Sequence, residues 1–277
     1  MQNISPQKIR IDGIFLNFVT VGYGSPIILI HGWTNNWKGW LPLAEHLKKN
    51  NKLYLIDLPG YGDSGDLHTY TLKKQSFYIA DFIKLLNLAP VVVMGFSMGT
   101  FVASMTAKNF PELVKSLILI GPPLKKGTNF SANSLLRKTL RSLDKTVFTQ
   151  KILRRIVVSK KFAYFMAKYM NMYKFDKTLV DTYGTEGKKK MRISAFIDMG
   201  VEFSSTSLEE IVGSLHIPTL LIYGKEDKVA PPQYARPLEN GNLQISIIPE
   251  AGHMTFWEKP KEVANSINIF LRKSSES

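Results

Sequence analysis

Short, fully apolar runs alternate with amphipathic stretches along the first part of the chain. Ile27 to Ile30 and Val91 to Met94 are apolar throughout and have the length of strands. Between them, Leu72 to Leu86 places its apolar residues at intervals of three and four, which predicts a helix. Apolar strands that alternate with amphipathic helices are typical of a parallel sheet covered by helices on both faces. The pattern therefore predicts an α/β fold.

The alternation is interrupted by residues 122–214, which have helical spacing, many basic and aromatic residues and no convincing strand. Strand patterns return at Thr219 to Tyr223 and at Leu243 to Ile248. We therefore predict a core made of residues 1–121 and 215–277. Residues 122–214 are predicted to form an inserted helical cap, the cap segment, between two strands of the sheet.

Net charge distinguishes the cap segment from the core. The chain of 277 residues carries 36 basic and 22 acidic side chains, which gives a formal net charge of +14. The stretch from Lys125 to Arg192 contains 18 basic and four acidic residues, so it alone has a charge of +14 and the remainder is neutral. The run Lys188-Lys189-Lys190 lies in this stretch. The charge of the cap segment therefore needs its own explanation.

Composition excludes several classes of protein. With 44% hydrophobic and 21% charged residues, the chain has the composition of a globular protein rather than a disordered one. It contains no cysteine, which excludes disulfides, thiolate catalysis and thiolate metal sites. No apolar run approaches the about 20 residues of a membrane span, and residues 1–10 lack the order of a signal peptide. We expect a cytoplasmic protein.

A serine lies at the centre of a glycine-rich turn, Gly95-Phe96-Ser97-Met98-Gly99, between a predicted strand and a predicted helix. A sharp turn from strand to helix strains the backbone of its middle residue, and glycines two positions to either side remove Cβ atoms that would collide. Such an elbow exposes the Ser97 hydroxyl at the carboxyl edge of the sheet. This context favours a nucleophilic serine over a turn without catalytic function.

A nucleophilic serine needs a base and a group that orients the base. Among the histidines, His253 alone follows a predicted strand and a short loop near the C-terminus. Three other histidines are interpreted as solvated or structural: His46, His68 and His216. A carboxylate is expected after the strand Leu220 to Tyr223, where Glu226 and Asp227 are both candidates.

Backbone N–H groups beside the serine complete the predicted site. His31 ends a buried strand, and Gly32 lets the backbone of Trp33 approach the reacting centre. We expect the N–H groups of Trp33 and Met98 to stabilise a developing oxyanion. His31 is expected to organise this loop rather than to react.

These motifs resemble the α/β-hydrolase superfamily over the whole chain except the cap segment. The matching segments, in chain order, are His31-Gly32-Trp33, Asp57 to Gly65, Gly95 to Gly99, Gly224 to Asp227 and Gly252-His253. The resemblance implies an α/β-hydrolase fold and selects Asp227, three residues after a glycine, as the triad acid, with Glu226 as the alternative. It also implies that Asp57 and Ser64 are structural. Dehalogenases and epoxide hydrolases of the superfamily use an aspartate at the elbow, so Ser97 argues against both activities.

The predicted function is hydrolysis of small carboxylic esters with an apolar, short- to medium-chain acyl group. Ser97, Asp227 and His253 would form an acyl-enzyme, and neither a cofactor nor a metal ion is expected. Four other enzyme activities remain as alternatives: a methyl esterase that acts on an acyl chain held by an acidic carrier protein, a carbon–carbon bond hydrolase, an acyltransferase or a perhydrolase. Outside the enzymes, the alternative is a ligand sensor built on a hydrolase fold.

The cap segment is expected to close over Ser97 and select the acyl group. Apolar residues at roughly helical spacing should bury it against the core and partly line a pocket: Leu135, Leu136, Leu140, Leu143, Phe148, Ile152, Ile156, Val157, Phe162, Phe165, Met166 and Tyr169. Its basic residues are consistent with a solvated surface, with binding of an anionic lipid surface, or with an acidic carrier protein. No nucleic acid is expected.

Overall fold

One sheet organises the computed structural model, which describes residues 5–124, 142 and 146–276. Its strands are β1 Gln7–Ile11, β2 Ile14–Val21, β3 Ser25–Ile30, β4 Asn51–Ile56, β5 Val91–Phe96, β6 Val114–Ile120, β7 Thr219–Gly224 and β8 Leu243–Ile248. Their order in the sheet is β1-β2-β4-β3-β5-β6-β7-β8. β2 pairs antiparallel with β1 and β4, and the other neighbouring pairs are parallel.

Helices connect most of the parallel strands. In the described ranges the α-helices are α1 Leu41–Leu47, α2 Leu72–Leu85, α3 Met98–Asn109, α4 Val147–Val157, α5 Lys160–Met166, α6 Lys177–Leu179, α7 Thr185–Lys190, α8 Ile193–Ser205, α9 Leu208–Gly213, α10 Thr255–Glu258 and α11 Pro260–Glu276. Single turns of π-helix follow α5 and α6, at Ala167–Asn171 and Val180–Gly184. Short 3₁₀ turns lie at Trp37–Trp40, Pro111–Leu113, Pro232–Tyr234 and Arg236–Leu238.

Both faces of the sheet are buried, because successive side chains of each strand point to opposite faces. In β3, Ile28 and Ile30 pack in the apolar cluster that contains residues of α2 and α3. Ile27 and Leu29 pack in the second cluster, with residues of α1 and α11. The predicted α/β fold, with a mostly parallel sheet and helices on both faces, is confirmed.

The chain between β6 and β7 is helical in the part that the structure describes, residues 146–214. Four residues predicted to pack the cap segment lie outside the described residues: Leu135, Leu136, Leu140 and Leu143. None of the described helices is long and apolar enough to cross a membrane. In the described residues, the cap segment therefore consists of short helices, α4 to α9.

The edge strand β1 has no counterpart among the predicted strands. It forms a hairpin with β2 through a tight turn at Asp12 and Gly13, which brings Ile11 opposite Ile14. Most of its side chains are exposed, and only Ile11 is buried. Such a polar edge strand gives little hydrophobic signal in a sequence.

Candidate active site

Ser97 lies between β5 and α3 in a backbone conformation that few non-glycine residues adopt. Its φ is +50° and its ψ is −114°, which is strained for a residue with a side chain. A Cβ atom at Gly95 would collide with the backbone of Gly99, and one at Gly99 would collide with the carbonyl of Ile30. The two glycines therefore permit the close packing of strand, turn and helix that holds Ser97 at the sheet edge.

His253 lies between Ser97 and Asp227. Its Nε2 is 2.9 Å from the Oγ of Ser97, and its Nδ1 is 2.8 Å from Oδ2 of Asp227. His253 and Asp227 are both buried, whereas Ser97 is partly exposed. The structure thus brings the three predicted residues into one hydrogen-bonded chain, although they are far apart in sequence.

The two candidate carboxylates have different partners. Oδ1 of Asp227 accepts hydrogen bonds from the N–H groups of Val229 and Ala230, both 2.8 Å long, which leaves Oδ2 for His253. Oε2 of Glu226 instead accepts from the N–H of Ala251 at 3.1 Å. Asp227 is therefore the carboxylate that contacts the histidine, and Glu226 supports the loop that precedes it.

Buried His31 connects two loops of the site. Its Nδ1 is 2.8 Å from the carbonyl oxygen of Gly32, and its Nε2 accepts a hydrogen bond from the N–H of Leu58 at 3.2 Å. These contacts require the neutral ring with its proton on Nδ1. Burial lowers the pKa of His31 to about 4, and the carbonyl of Gly32 opposes that shift only partly. His31 is positioned to organise the loop and has no contact with Ser97.

A second buried group, Asp57, stabilises the same region through hydrogen bonds. Its two carboxylate oxygens accept hydrogen bonds from the N–H groups of Trp37 and Asp63 and from the side-chain amide of Asn17. The hydroxyl of Ser64 donates to the backbone carbonyl of Asp57 at 2.6 Å. Burial raises the pKa of Asp57 to about 6, against the effect of these donors. Asp57 and Ser64 therefore stabilise the loop that follows β4, at a distance from Ser97.

Trp33 and Met98 flank Ser97 along the cavity wall. Met98 is the first residue of α3, so its N–H has no acceptor within the helix. The Trp33 side chain is held by the cap segment: its Nε1 donates to the carbonyl of Phe196 at 2.8 Å, and its ring stacks on that of Phe196 at 4.1 Å. The Trp33 side chain therefore has a packing role, which leaves the oxyanion assignment to its backbone.

A cavity of about 420 Å³ lies over Ser97 and His253. This volume is within the range of about 300–1,000 Å³ of small-molecule pockets. Its floor is formed by the ends of the core strands and its roof by the cap segment, which contributes Leu153, Ile156, Val157, Phe162, Ala163, Met166, Ala167, Met172, Val180, Gly184, Lys188, Phe196 and Phe203. The wall is predominantly apolar. Within the described residues, no cluster of three or more metal-binding side chains is present.

The predicted apolar residues of the cap segment divide into two groups. Four of them line the cavity, and one of these, Ile156, is also 50% exposed: Ile156, Val157, Phe162 and Met166. The other described members of the set do not line the cavity and are exposed: Phe148, Ile152, Phe165 and Tyr169. Helical spacing alone does not separate the two groups, because it does not show which side of a short helix faces the sheet.

Residues 25–260 match the family model of the alpha/beta hydrolase fold. This chain is an α/β hydrolase. The match covers most of both core segments and the whole of the cap segment between them. It confirms the resemblance drawn from the elbow and the loops around it.

Several relatives of this α/β hydrolase have named activities. The monoacylglycerol lipase ABHD6 of Bos taurus is 26% identical over 263 residues, covering 90% of this chain and 76% of that protein. The 2-hydroxy-6-oxo-6-(2'-aminophenyl)hexa-2,4-dienoic acid hydrolase of Metapseudomonas resinovorans is 25% identical, covering 97% and 91%. A thermophilic esterase from Thermogutta terrifontis has the same fold, with a TM-score of 0.76 and 21% identity over 98% of this chain and 99% of its own. These relatives support a hydrolase.

Two residues of this α/β hydrolase's site carried no signal in the sequence. Glu258 accepts a hydrogen bond from the N–H of Gly252, beside His253, and two more from the N–H groups of Tyr173 and Lys174 in the cap segment. Burial raises the pKa of Glu258 above its ordinary value. Lys188 faces the cavity, although it belongs to a run of three lysines that reads as a surface feature. Neither position stands in a recognisable motif, and both depend on packing between distant segments.

Proposed function

We propose that this α/β hydrolase cleaves carboxylic esters through an acyl-enzyme formed on Ser97. The observation that carries the proposal is the hydrogen-bonded chain of Ser97, His253 and Asp227, at 2.9 Å and 2.8 Å, at the floor of an apolar cavity. A serine hydroxyl is a weak nucleophile unless a neighbouring base accepts its proton. The arrangement supplies that base and a carboxylate to orient it.

In the acylation step, Nε2 of His253 accepts the proton of Ser97 as Oγ attacks the ester carbonyl carbon. Asp227 keeps the ring in the tautomer with its proton on Nδ1 and stabilises the imidazolium that forms. His253 then donates the proton to the leaving alkoxide, and the alcohol departs. The products of this step are the alcohol and an acyl ester of Ser97.

In the deacylation step, His253 accepts a proton from water as the water oxygen attacks the acyl carbon. His253 then donates that proton to Oγ of Ser97, the bond between Oγ and the acyl carbon breaks, and the carboxylic acid is released with Ser97 regenerated. Both steps pass through a tetrahedral oxyanion. The backbone N–H groups of Met98 and Trp33 are assigned to that oxyanion, and one such donor is typically worth about 3–4 kcal/mol of transition-state stabilisation. The walls of Leu153, Val157 and Phe162 favour an apolar acyl chain of short to medium length.

The test is hydrolysis of p-nitrophenyl esters from acetyl to palmitoyl by wild type and Ser97→Ala. We expect kcat/KM to fall about 10⁴-fold or more in Ser97→Ala, with an unchanged far-UV circular dichroism spectrum. The acyl chain length with the highest kcat/KM indicates how long an acyl chain the cavity accommodates. Equal activity of both proteins would refute the mechanism. Absence of activity across the panel would favour a carrier-bound substrate or a ligand sensor.

Carbon–carbon bond hydrolysis is the second candidate, because the relative from Metapseudomonas resinovorans is named for a dienoic acid hydrolase. The same serine and histidine would serve that reaction. Loss of absorbance of a 2-hydroxy-6-oxohexa-2,4-dienoic acid, measured beside the ester panel with Ser97→Ala as control, decides between the two. A kcat/KM for the dienoic acid above that of every ester would favour this candidate.

For the basic cap segment we propose an anionic lipid surface as partner. Val147 and Phe148 on α4 are 70% and 72% exposed, and the same helix carries Lys151 and Arg155. Exposed apolar and basic side chains together favour the surface of an anionic membrane. Co-sedimentation with anionic and neutral vesicles tests this, with Phe148→Ser as the variant and Phe15→Ser, at the exposed start of β2, as the control. Binding of an acidic acyl carrier protein without vesicle binding would favour the carrier instead.

A further inference from the structure

The three consecutive lysines of α7 have different environments. Nζ of Lys189 lies 2.5 Å from Glu186, and Nζ of Lys190 lies 2.6 Å from Asp63, and both lysines are exposed. Lys188 is only 7% exposed and lines the cavity that contains Ser97. One lysine of the run is therefore directed inward, while its neighbours form ion pairs at the surface.

The ammonium group of Lys188 has no carboxylate partner within residues 5–124, 142 and 146–276. Its described neighbour is the ring of Phe162, whose centroid is 5.6 Å from Nζ. A cation–π contact offsets only part of the cost of burying an ammonium group. Burial lowers the pKa of Lys188 to about 8, so most of the population is protonated at neutral pH. Among the described residues, the cavity therefore contains a positive charge that no carboxylate compensates.

The position of Lys188 is fixed by contacts on both sides of α7. At Gly187 the helix touches the backbone of Asn35, where a Cβ atom would lie 2.8 Å from the Cα of that residue. Beyond the C-terminus of the helix, Arg154 of α4 donates to the carbonyl of Met191 at 2.8 Å. Asn35 also lines the cavity. Lys188 is thus held at the wall shared by the cap segment and the loop that follows His31.

We propose that Lys188 binds a carboxylate of the substrate, so that the preferred substrates are esters that carry one free carboxylate. This inference rests on the proposed ester hydrolysis and names its substrate class. A salt bridge to the substrate would supply the carboxylate partner that the ammonium group lacks in the described part of the chain. Lys188 is the single Lys or Arg, and no Asp or Glu accompanies it, among the described lining residues. One charge matches a carboxylate better than a phosphate dianion.

Matched pairs of esters test the proposal. The first pair carries the charge on the acyl side: mono-p-nitrophenyl glutarate and its neutral methyl ester. The second carries it on the alcohol side: the hexanoyl ester of 4-hydroxybutyrate and of methyl 4-hydroxybutyrate. We expect wild type to prefer the anionic member of one pair by about 10- to 100-fold in kcat/KM, the range for a hydrogen bond to a charged group. The pair that shows the preference tells which side of the ester faces Lys188.

The variant is Lys188→Met, which keeps the length of the side chain and removes its charge. It should abolish the preference by lowering kcat/KM for the anionic ester about 10-fold or more relative to its neutral partner, because only the anionic ester gains a salt bridge from the ammonium group. Lys189→Met, the exposed neighbour, is the matched control and should retain the preference. A ratio near one in wild type, or a preference that survives in Lys188→Met, would overturn the proposal.

Salt separates the buried lysine from the basic surface. A preference that comes from surface charges should vanish in 0.5 M NaCl, where the Debye length is only a few ångströms, whereas binding at the buried Lys188 should persist. If no ester of either pair is hydrolysed, the proposed function fails, and binding still tests Lys188. Calorimetry with Ser97→Ala should then show tighter binding of monomethyl adipate than of dimethyl adipate. Equal binding of the two would refute the role of Lys188 independently of turnover.

Discussion

The floor and the roof of the cavity are built in different ways. On the floor, Ser97, Asp227 and His253 each follow the end of a strand, and buried hydrogen bonds hold their loops. The roof consists of short helices and π turns of the cap segment, which present mostly apolar side chains to the cavity. Groups that transfer protons require fixed distances, whereas an apolar wall tolerates variation in shape. Under the proposed mechanism, the floor therefore determines the reaction, and the roof determines the choice of substrate.

The largest effect is expected on the floor, at the carboxylate that contacts His253. Asp227→Asn should lower kcat/KM about 10⁴-fold, because the amide no longer favours the ring tautomer that presents a free Nε2 to Ser97. Glu226→Gln should cost less than about ten-fold, because a glutamine oxygen can still accept the bond from Ala251. Steady-state kinetics on one p-nitrophenyl ester measures both. A larger loss in Glu226→Gln than in Asp227→Asn would identify Glu226 as the triad acid.

An intermediate effect is expected in stability rather than in rate. The pKa of His31 is about 4 in the folded protein, below its usual 6.5, so the folded state binds fewer protons than the unfolded state between these values. The contribution of His31 to stability is complete above pH 6.5 and is lost as the pH falls to about 4, about 3 kcal/mol in all. Asp57, whose pKa is raised to about 6, acts in the opposite direction.

The difference between wild type and His31→Gln isolates this histidine from Asp57. Urea unfolding at several pH values between 4 and 7 should show that the stability advantage of wild type decreases toward acid pH. His68→Gln, which replaces an exposed histidine by the same residue, is the matched control measured at the same pH values. A constant advantage of wild type over His31→Gln would show that protonation of His31 does not oppose folding.

The smallest effect is expected on the roof and should change selectivity alone. Leu153→Trp adds volume where α4 lines the cavity, so kcat/KM for decanoyl esters should fall about ten-fold or more while that for acetyl esters changes little. Val147→Trp, on an exposed part of the same helix, should leave the chain-length profile unchanged. A uniform loss across chain lengths would contradict the division between floor and roof.

The floor was largely predictable from the sequence because its residues are tied to strand ends. Apolar strands are recognisable, and Ser97, Asp227 and His253 each lie one short turn beyond one of them. The choice of Asp227 over Glu226 required a family resemblance, since adjacent carboxylates after one strand are equivalent in a pattern. The hairpin strand β1 was not predictable in this way, because its mostly exposed side chains give no apolar run.

The roof was predictable only as helical. Its contacts join segments that are distant in the chain, as Gly187 and Asn35 illustrate, and no local spacing encodes them. In the run of three lysines, the inward direction of one side chain depends on how α7 is rotated against the core. A helix of six residues has too few apolar positions to reveal that rotation in its sequence.

Glu258 links the core to the cap segment. One of its carboxylate oxygens accepts from the N–H of Gly252, next to His253, and the other accepts from Tyr173 and Lys174 of the cap segment. A displacement of the cap segment at Tyr173 would therefore pull on the loop that carries the histidine. Under the proposed mechanism, a substitution at Tyr173 or Lys174 that adapts the cap segment to a new substrate is therefore expected to change the reaction rate as well.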